Sequence, residues 1–196
     1  MTLRRYRHLP DLTIASGASS LRCVQDDDIE PIRQWRNAQM DVLRQDRPIS
    51  ADRQRAYFAR EIWPQMEAER PSTVLLSFRR DDELVGYGGL VHIAWEHSRA
   101  EISVLMRSDI AGDEVAYHPL LRTFLFLVRE LAFNRLGLNR VYLETYSIRT
   151  KHIATLEACG FQLEGRLREH VRIDGAPADS LIHACFAREW TTWAAG

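Results

Sequence analysis

Thr73-Val-Leu-Leu-Ser-Phe78 opens the part of the chain that decides the fold, and two further apolar stretches follow it. These are Leu84-Val-Gly-Tyr-Gly-Gly-Leu-Val91 and Ala100-Glu-Ile-Ser-Val-Leu-Met106. Each stretch has the length and the β-branched or aromatic content of a strand, and a short polar segment, 79–83, joins the first two. Side chains in the third stretch alternate between the two faces of a sheet. The three stretches therefore predict an antiparallel meander.

A long helix is predicted after the meander. Pro119 suits its first turn, and Gly137 suits the position just past its end. Apolar residues surround much of the segment between them, so we expect this helix to be heavily buried. A strand over 140–146, a short helix over 150–159 and two strands over 161–173 and 180–186 then complete the chain.

Upstream of the meander, the pattern predicts a strand over 21–25 and two helices that begin near Ile29 and Ser50. The complete order indicates an α/β (α+β) protein with a mixed, mostly antiparallel sheet of about seven strands and helices on both faces. We expect residues 1–20 to form an N-terminal arm and residues 21–196 a single domain. A ligand is expected between strands 100–106 and 141–146, where the strand pattern changes direction.

Charge and composition argue against several classes of protein. The 26 Lys and Arg residues nearly balance the 27 Asp and Glu residues, so we predict neither a nucleic-acid nor a membrane partner. No apolar run approaches the roughly 18 residues of a membrane span, and no secretory segment is recognised, so we expect a cytoplasmic protein. The three cysteines suit reduced thiols. His and Cys residues show no metal-ligand spacing, so no metal is predicted.

Three segments carry a family resemblance. Leu84 to Leu90 followed by Ala100 to Leu105 looks like the strand pair that precedes an acyl-CoA site, and the segment 156–175 is the most specific match. Together with Trp35-Arg36-Asn37 they resemble the GNAT acyltransferases, in particular the branch of ribosomal-protein N-terminal and amino-sugar acetyltransferases. The resemblance implies a GNAT fold and acetyl-CoA, or another acyl-CoA, as co-substrate.

One departure from the family lies in the loop that would hold the CoA pyrophosphate. Gly112 matches the first glycine of the family loop, but Asp109, Asp113 and Glu114 place carboxylates where phosphates would lie. Either this loop follows a different path, or CoA binds weakly. The residues expected to hold CoA are Val104, Leu105, Met106, Gly112, Val115, Ala116, Tyr117, His118, Arg149 and Lys151.

A second departure lies in the short helix over 150–159. Arg149 stands where the family often has Asn, and Leu156 stands where many members have the Tyr that protonates the departing thiolate. The resemblance makes Glu101 the candidate general base, although a Glu paired with a neighbouring arginine is an equal alternative. Tyr146 and Ser147 end the strand that lines the cleft, so they are candidates for proton return.

The acceptor side is expected on the first helix and the second meander strand. Arg suits a phosphate and Trp suits stacking on a ring, so the candidates are Trp35, Arg36, Asn37 and Tyr87. A core Trp with two solvated neighbours explains the first three equally well, and Arg36 paired with a carboxylate such as Asp28 is a further alternative.

Three functions remain open at this point. The first is acylation of a small primary amine, such as a nucleotide-linked amino sugar, and the second is acetylation of a protein N-terminus. The third is a binding module that kept the fold and lost efficient CoA binding. The sequence is also compatible with a homodimer.

Overall fold

The computed structural model describes residues 3–9, 12–43 and 45–194, and eight strands of this part of the chain form one mixed sheet. The strands are β1 (Thr13–Ser16), β2 (Ser19–Cys23), β3 (Val74–Arg80), β4 (Glu83–Ala94), β5 (Arg99–Met106), β6 (Arg140–Tyr146), β7 (Gln162–Ile173) and β8 (Ala176–Phe186). Their order is β1-β2-β3-β4-β5-β6-β8-β7, and only β5 and β6 are parallel neighbours. The predicted meander and mixed sheet are confirmed.

Seven α-helices accompany the sheet in the described ranges. They are α1 (Ile29–Ala38), α2 (Ala51–Tyr57), α3 (Trp63–Glu67), α4 (Ser108–Gly112), α5 (Glu114–Arg129), α6 (Thr150–Ala158) and α7 (Ala187–Ala194). A π-helical segment, Phe58–Ile62, joins α2 to α3, and another, Glu130–Arg135, extends α5. Short 3-10 turns cover Asp26–Asp28, Met40–Val42 and Trp95–His97.

Helices cover both faces of the sheet, as predicted. On one face the ring of Phe78 in β3 packs edge-on against Phe124 in α5, with ring centroids 5.6 Å apart. On the other face the ring of Tyr87 in β4 lies 6.2 Å from Phe58, at the junction of α2 and α3. Because alternate residues of a strand point to opposite faces, the two core layers are separated by the sheet itself.

The N-terminal segment differs from the expected arm. β1 and β2 form a hairpin whose turn contains Gly17 with φ +56°, and β2 pairs with β3, so that β1 is an edge strand of the sheet. Tyr6 is only 1% exposed, and its hydroxyl accepts a hydrogen bond from the Leu75 amide at 2.8 Å. Sheet pairing and core packing thus extend well before residue 20, and the sheet, expected to have about seven strands, has eight.

Helix α5 begins five residues earlier than predicted. The Asp113 carboxylate accepts hydrogen bonds from the amides of Val115 and Ala116, which caps the helix upstream of Pro119. Pro119 therefore lies inside the helix. The predicted end is correct, since Gly137 follows the π-helical extension with φ +64°, a conformation that glycine adopts without strain.

The register between β5 and β6 determines where the site lies. The two strands pair only over three positions, Arg99 with Arg140, Ala100 with Val141 and Glu101 with Tyr142. Beyond these pairs, β5 remains bonded to β4 and β6 to β8, so the two parallel strands separate and open a cleft. The cleft lies where the sequence predicted a ligand.

Among the described residues, none of the helices combines the length and the apolar character needed to span a membrane. The same part of the chain contains no group of three or more His, Cys, Asp or Glu side chains arranged to hold a metal ion.

Candidate active site

The opening between β5 and β6 forms a central cavity of about 450 Å³. Its walls include Glu101, Ser103 and Val104 from β5, and Glu144 and Tyr146 from β6. A second cavity of about 310 Å³ adjoins it on the side of α1 and α2, and a third of about 540 Å³ lies beside α4 and α5. We refer to the second as the arginine-lined cavity and to the third as the helix-side cavity. Each shares lining residues with the central cavity, so the three form one continuous cleft.

The exposed edge of β5 supplies main-chain groups to the central cavity. The Arg107 amide donates to the Val85 carbonyl at 2.9 Å, which continues the ladder between β5 and β4. Main-chain groups alternate between the two edges of a strand, so those of Val104 and Met106 point away from β4 and towards β6. The Met106 carbonyl accepts a hydrogen bond from the Gln39 side chain at 2.9 Å. Val104 therefore presents its main-chain groups where β6 no longer pairs with β5.

Glu101 lies at the apex of the opening, at the last paired position of β5 and β6. Across β4 it pairs with Val91, immediately before a bulge at which His92 has φ +51°. Because side chains of one strand face share a side of the sheet, Glu101 and Ser103 lie on the same face as Tyr87, towards α1 and α2. A proton acceptor at this position lines the central cavity, on the face of the sheet that also borders the arginine-lined cavity.

The arginine-lined cavity has a cationic wall. Three arginines line it, Arg36, Arg47 and Arg53, together with one carboxylate, Asp46. Asp46 is paired with Arg47 at 2.8 Å, whereas Arg36 forms no ion pair with any carboxylate of the described residues. The alternative partner considered for Arg36, Asp28, is instead 2.8 Å from the Arg79 guanidinium. Arg36 lines both this cavity and the central one.

The three carboxylates that depart from the family loop lie at the start of α5 and just before it, and of the three Glu114 alone lines the helix-side cavity. Asp109 accepts a hydrogen bond from Arg107 at 2.7 Å, and this contact lowers the pKa of the Asp109 carboxyl below its ordinary value. Glu114 is ion-paired with Lys151. Asp113 caps α5, so the two amides that could face a phosphate already bind a carboxylate. The loop contains a short helix, α4, directly before Asp113.

A polar chain crosses the junction of the central and helix-side cavities. The Tyr117 hydroxyl lies 2.7 Å from Nδ1 of His152 and accepts a hydrogen bond from the Arg149 guanidinium at 3.1 Å. His152 is 4% exposed and lines both cavities. Burial, with contributions from Arg149, His183 and His118, lowers the pKa of His152 well below its ordinary value, so the imidazole is neutral. Burial also raises the pKa of Tyr117, which keeps the phenol protonated.

Several candidate residues lie outside the cleft walls. Trp35 is 8% exposed and packs in the core. The Asn37 side chain accepts a hydrogen bond from the Ile49 amide at 2.8 Å and donates one to the Ile49 carbonyl at 2.9 Å. The Ser147 amide donates to the Asp179 carbonyl. Leu105 and Met106 have buried side chains, whereas the side chain of Val115 is 85% exposed.

The remaining candidates do lie on the cleft. Tyr146 borders the central cavity, and Tyr87 borders the arginine-lined cavity. The helix-side cavity brings together a larger group of candidates: Gly112, Tyr117, His118, Arg149 and Lys151. Ala116 is half-buried and packs against the core.

Sequence reasoning missed Glu144 and His152. Glu144 alternates with buried residues along β6 and borders the central cavity with a side chain that is 14% exposed. The strand alternation could have identified it. His152 comes three residues after Arg149, one helical turn away, but only the tertiary fold brings Tyr117 of α5 against it.

The cleft fits the acyl-CoA that the resemblance implies. An extended pantetheine arm needs a strand edge with unpaired main-chain groups, and β5 supplies one at Val104. Two cationic side chains, Arg149 and Lys151, line the helix-side cavity beside the start of α5. The fit is weaker at that end, because Asp113 occupies the amides of the helix N-terminus.

Comparison with known proteins agrees with this geometry. Residues 21–182 match the family described as the acetyltransferase (GNAT) domain. A solved structure of spermidine N-acetyltransferase from Vibrio cholerae in complex with CoA and spermine has a TM-score of 0.78 to this chain at 20% identity, covering 90% of this chain and 99% of that one. The dodecameric structure of spermidine N-acetyltransferase from the same organism in an intermediate state has a TM-score of 0.74 at 21% identity, covering 89% and 97%. Among curated proteins, no sequence matches significantly.

Proposed function

Because the chain belongs to the GNAT acetyltransferase family, we propose that it acetylates the primary amine of a small molecule that also carries an anionic group. Family membership makes the chain an acyl-CoA-dependent acetyltransferase whose co-substrate is acetyl-CoA. The acceptor is the new element of the proposal. The branch suggested by the sequence includes amino-sugar acetyltransferases, and a phosphorylated or nucleotide-linked amino sugar fits the anionic requirement.

The observation that carries this proposal is the wall of the arginine-lined cavity. Three arginines face one carboxylate there, and that carboxylate is paired with Arg47. Arg36 has no carboxylate partner among the described residues, so its planar guanidinium is available for a phosphate or carboxylate of the acceptor. A polyamine such as spermine is a polycation, and this wall would repel it. The relatives of known structure therefore share the fold without indicating the acceptor.

The residues around the central cavity suit amide formation. Acetyl-CoA, when bound, supplies a thioester carbonyl carbon to the attacking amine. Glu101 would accept a proton from the amine, and its position on the face of the arginine-lined cavity places it on the acceptor side. The Val104 main chain would hold the acyl end, since hydrogen-bond donors aimed at a developing oxyanion stabilise the transition state.

An amine panel tests the proposal directly. CoA release from acetyl-CoA would be followed with glucosamine, glucosamine 6-phosphate, a nucleotide-linked glucosamine, spermidine and N-terminal peptides. We expect the phosphorylated or nucleotide-linked sugar to react at least tenfold faster, in kcat/KM, than glucosamine, which differs from the 6-phosphate by one anionic group. A preference for spermidine would contradict the proposal, and exclusive use of peptides would favour protein N-terminal acetylation. CoA binding without turnover of any amine would favour a binding module.

Self-association remains a separate prediction. The long edge strand β7 exposes two large apolar side chains, Leu163 (52%) and Leu167 (40%). Exposed apolar groups on an unpaired strand edge favour pairing with another chain. Light scattering coupled to size exclusion would test the expected homodimer, and a monomeric mass would contradict it.

A further inference from the structure

The family tyrosine that protonates the departing thiolate is replaced here by Leu156, which is completely buried. Proton return must then use another group. The polar chain Arg149–Tyr117–His152 is the strongest candidate, because it crosses the cleft where the central and helix-side cavities meet. We propose that this chain is a proton relay that protonates the sulfur of the departing CoA. The inference rests on the proposed acetyl transfer.

Hydrogen-bond chemistry sets the direction of the relay. The Arg149 guanidinium has donors only, so the Tyr117 oxygen accepts from it. The hydroxyl proton of Tyr117 then needs an acceptor, and Nδ1 of His152 lies at 2.7 Å. A neutral imidazole that accepts at Nδ1 carries its proton on Nε2. No hydrogen-bond partner is found for Nε2 among the described residues, so this N–H is available to the cleft.

The proton balance of the step is complete. The amine nitrogen forms a bond to the thioester carbonyl carbon and passes a proton to Glu101. The carbon–sulfur bond breaks, and its electron pair remains on sulfur. His152 donates the Nε2 proton to that sulfur while Nδ1 takes the hydroxyl proton of Tyr117. The resulting phenolate is held by the Arg149 guanidinium and takes its proton back from Nδ1, and Nε2 regains a proton from water once CoA has left. A neutral imidazole can act as a proton donor of this kind when its pKa is held low.

Charged and titratable neighbours of His152 favour the neutral form. Arg149, His118 and His183 all disfavour a second proton on the ring. His183 lies 3.4 Å from Glu157, and His118 is hydrogen-bonded to Thr155. These partners tie the two other histidines to α6, so that only His152 lies against the Tyr117 hydroxyl. In this arrangement His152 is the group that touches the leaving sulfur, and Tyr117 and Arg149 act through it.

The first test uses the protein without any ligand. ¹⁵N NMR of the histidine rings should show His152 as the neutral tautomer with its proton on Nε2 between pH 5.5 and 8. In Tyr117→Phe, which removes only the hydroxyl, the Nδ1 signal should lose the shift caused by hydrogen bonding. A proton on Nδ1 in the wild-type protein would overturn the relay, whatever acceptor the enzyme uses.

The second test measures the thiol of bound CoA by its thiolate absorbance across pH, with desulfo-CoA as the blank. A donor aimed at sulfur favours the thiolate, so we expect the pKa of the bound thiol to be lower than that of free CoA by about one unit. Tyr117→Phe and His152→Asn should remove most of this shift while both variants still bind CoA in calorimetry. Asn at 152 can still accept from Tyr117 but has no N–H at the ε position.

The outcomes separate the relay from the proposed function. Binding of CoA with an unshifted thiol pKa in the wild-type protein overturns the relay alone. Absence of any CoA binding contradicts both. If an amine substrate is found, Tyr117→Phe should lower kcat roughly tenfold with an unchanged KM for acetyl-CoA, whereas a purely structural role would alter KM and the melting temperature instead.

Discussion

The two ends of the cleft present different chemical groups to a ligand. At the strand end, β5 and β6 pair over three positions and then separate, so the main chain itself presents hydrogen-bonding groups at Val104. At the helix end, side chains dominate, and the amides at the start of α5 are bound by Asp113. A strand edge therefore keeps its groups open through sheet geometry, whereas a helix N-terminus can be closed by one aspartate.

This contrast has an electrostatic consequence. The start of a helix attracts anions through its free amides and its dipole, and a capping carboxylate satisfies both. Arg107 and Lys151 compensate the other two carboxylates, Asp109 and Glu114, so the loop is less acidic than its sequence implies. We expect the thioester end of acetyl-CoA to be held more strongly than its phosphates.

The largest expected effect tests the strand end. Glu101→Gln should lower kcat by about 10²–10⁴ while the melting temperature changes little, because the amide preserves the shape but cannot accept the amine proton. Steady-state kinetics at saturating amine between pH 7 and 9 would measure it. Glu144→Gln is the matched control from the same cavity. A larger loss of kcat in that variant would indicate that the general base is Glu144 of β6 and not Glu101.

A smaller effect is expected on the acceptor side of the strand end. Arg36→Lys should raise the KM for an anionic acceptor roughly tenfold, since a lysine point charge cannot reproduce a forked contact, and each 1.4 kcal/mol is a factor of ten. The affinity for acetyl-CoA should not change. For the uncharged analogue of the acceptor, wild type and variant should have equal KM values; an equal rise for both acceptors would show that Arg36 shapes the cavity rather than binding an anion.

At the helix end, a substitution should strengthen ligand binding, in contrast to the losses expected at the strand end. Asp113→Asn should increase the affinity for CoA several-fold, because the variant loses a negative charge near the phosphates while Asn remains a good helix cap. Calorimetry at low and high salt would check it, since the gain should shrink as screening increases. Asp52→Asn, in the first turn of α2, is the control that should leave CoA affinity unchanged. A weaker complex with Asp113→Asn would mean that the carboxylate supports the site.

The smallest expected effect concerns stability against pH at the junction of the two ends. His152 has a lowered pKa in the folded protein, so below the ordinary histidine pKa of about 6.5 the unfolded chain binds more protons than the folded one. The free energy of unfolding should therefore fall as pH decreases from 7 to 5. Urea unfolding at each pH should show a shallower decrease in the free energy of unfolding for His152→Asn than for the wild-type protein. Equal pH dependence in the two proteins would mean that His152 does not contribute.

Much of the strand end was predictable from sequence. Alternation in β5 placed Glu101 on one face and Val104 on the other, and the connection order located the opening between β5 and β6. The family and its acetyl-CoA followed from the residues of β4, β5 and the segment 156–175, and the family match confirms both. The acceptor and the catalytic roles stay predictions.

The helix end was harder to predict, because its contacts join residues that are distant in the chain. Counting along the sequence showed carboxylates at 109, 113 and 114, but it could not show that Lys151 pairs with Glu114 or that Asp113 caps α5 ahead of Pro119. Trp35, Arg36 and Asn37 are adjacent in sequence, yet they reach the core, the cleft and the main chain of Ile49 respectively.

The sequence alone determined the order of the strands from β2 to β8, the mixed sheet and the family, because hydrophobic periodicity and turn residues act locally and repeat along each element. The tertiary structure alone decided which side chains meet in the cleft. Tyr117, Arg149 and His152 come together only because α5 and α6 pack against each other, and burial then sets the protonation of the imidazole. Packing brings together groups that are 35 residues apart, and no local pattern encodes such a contact.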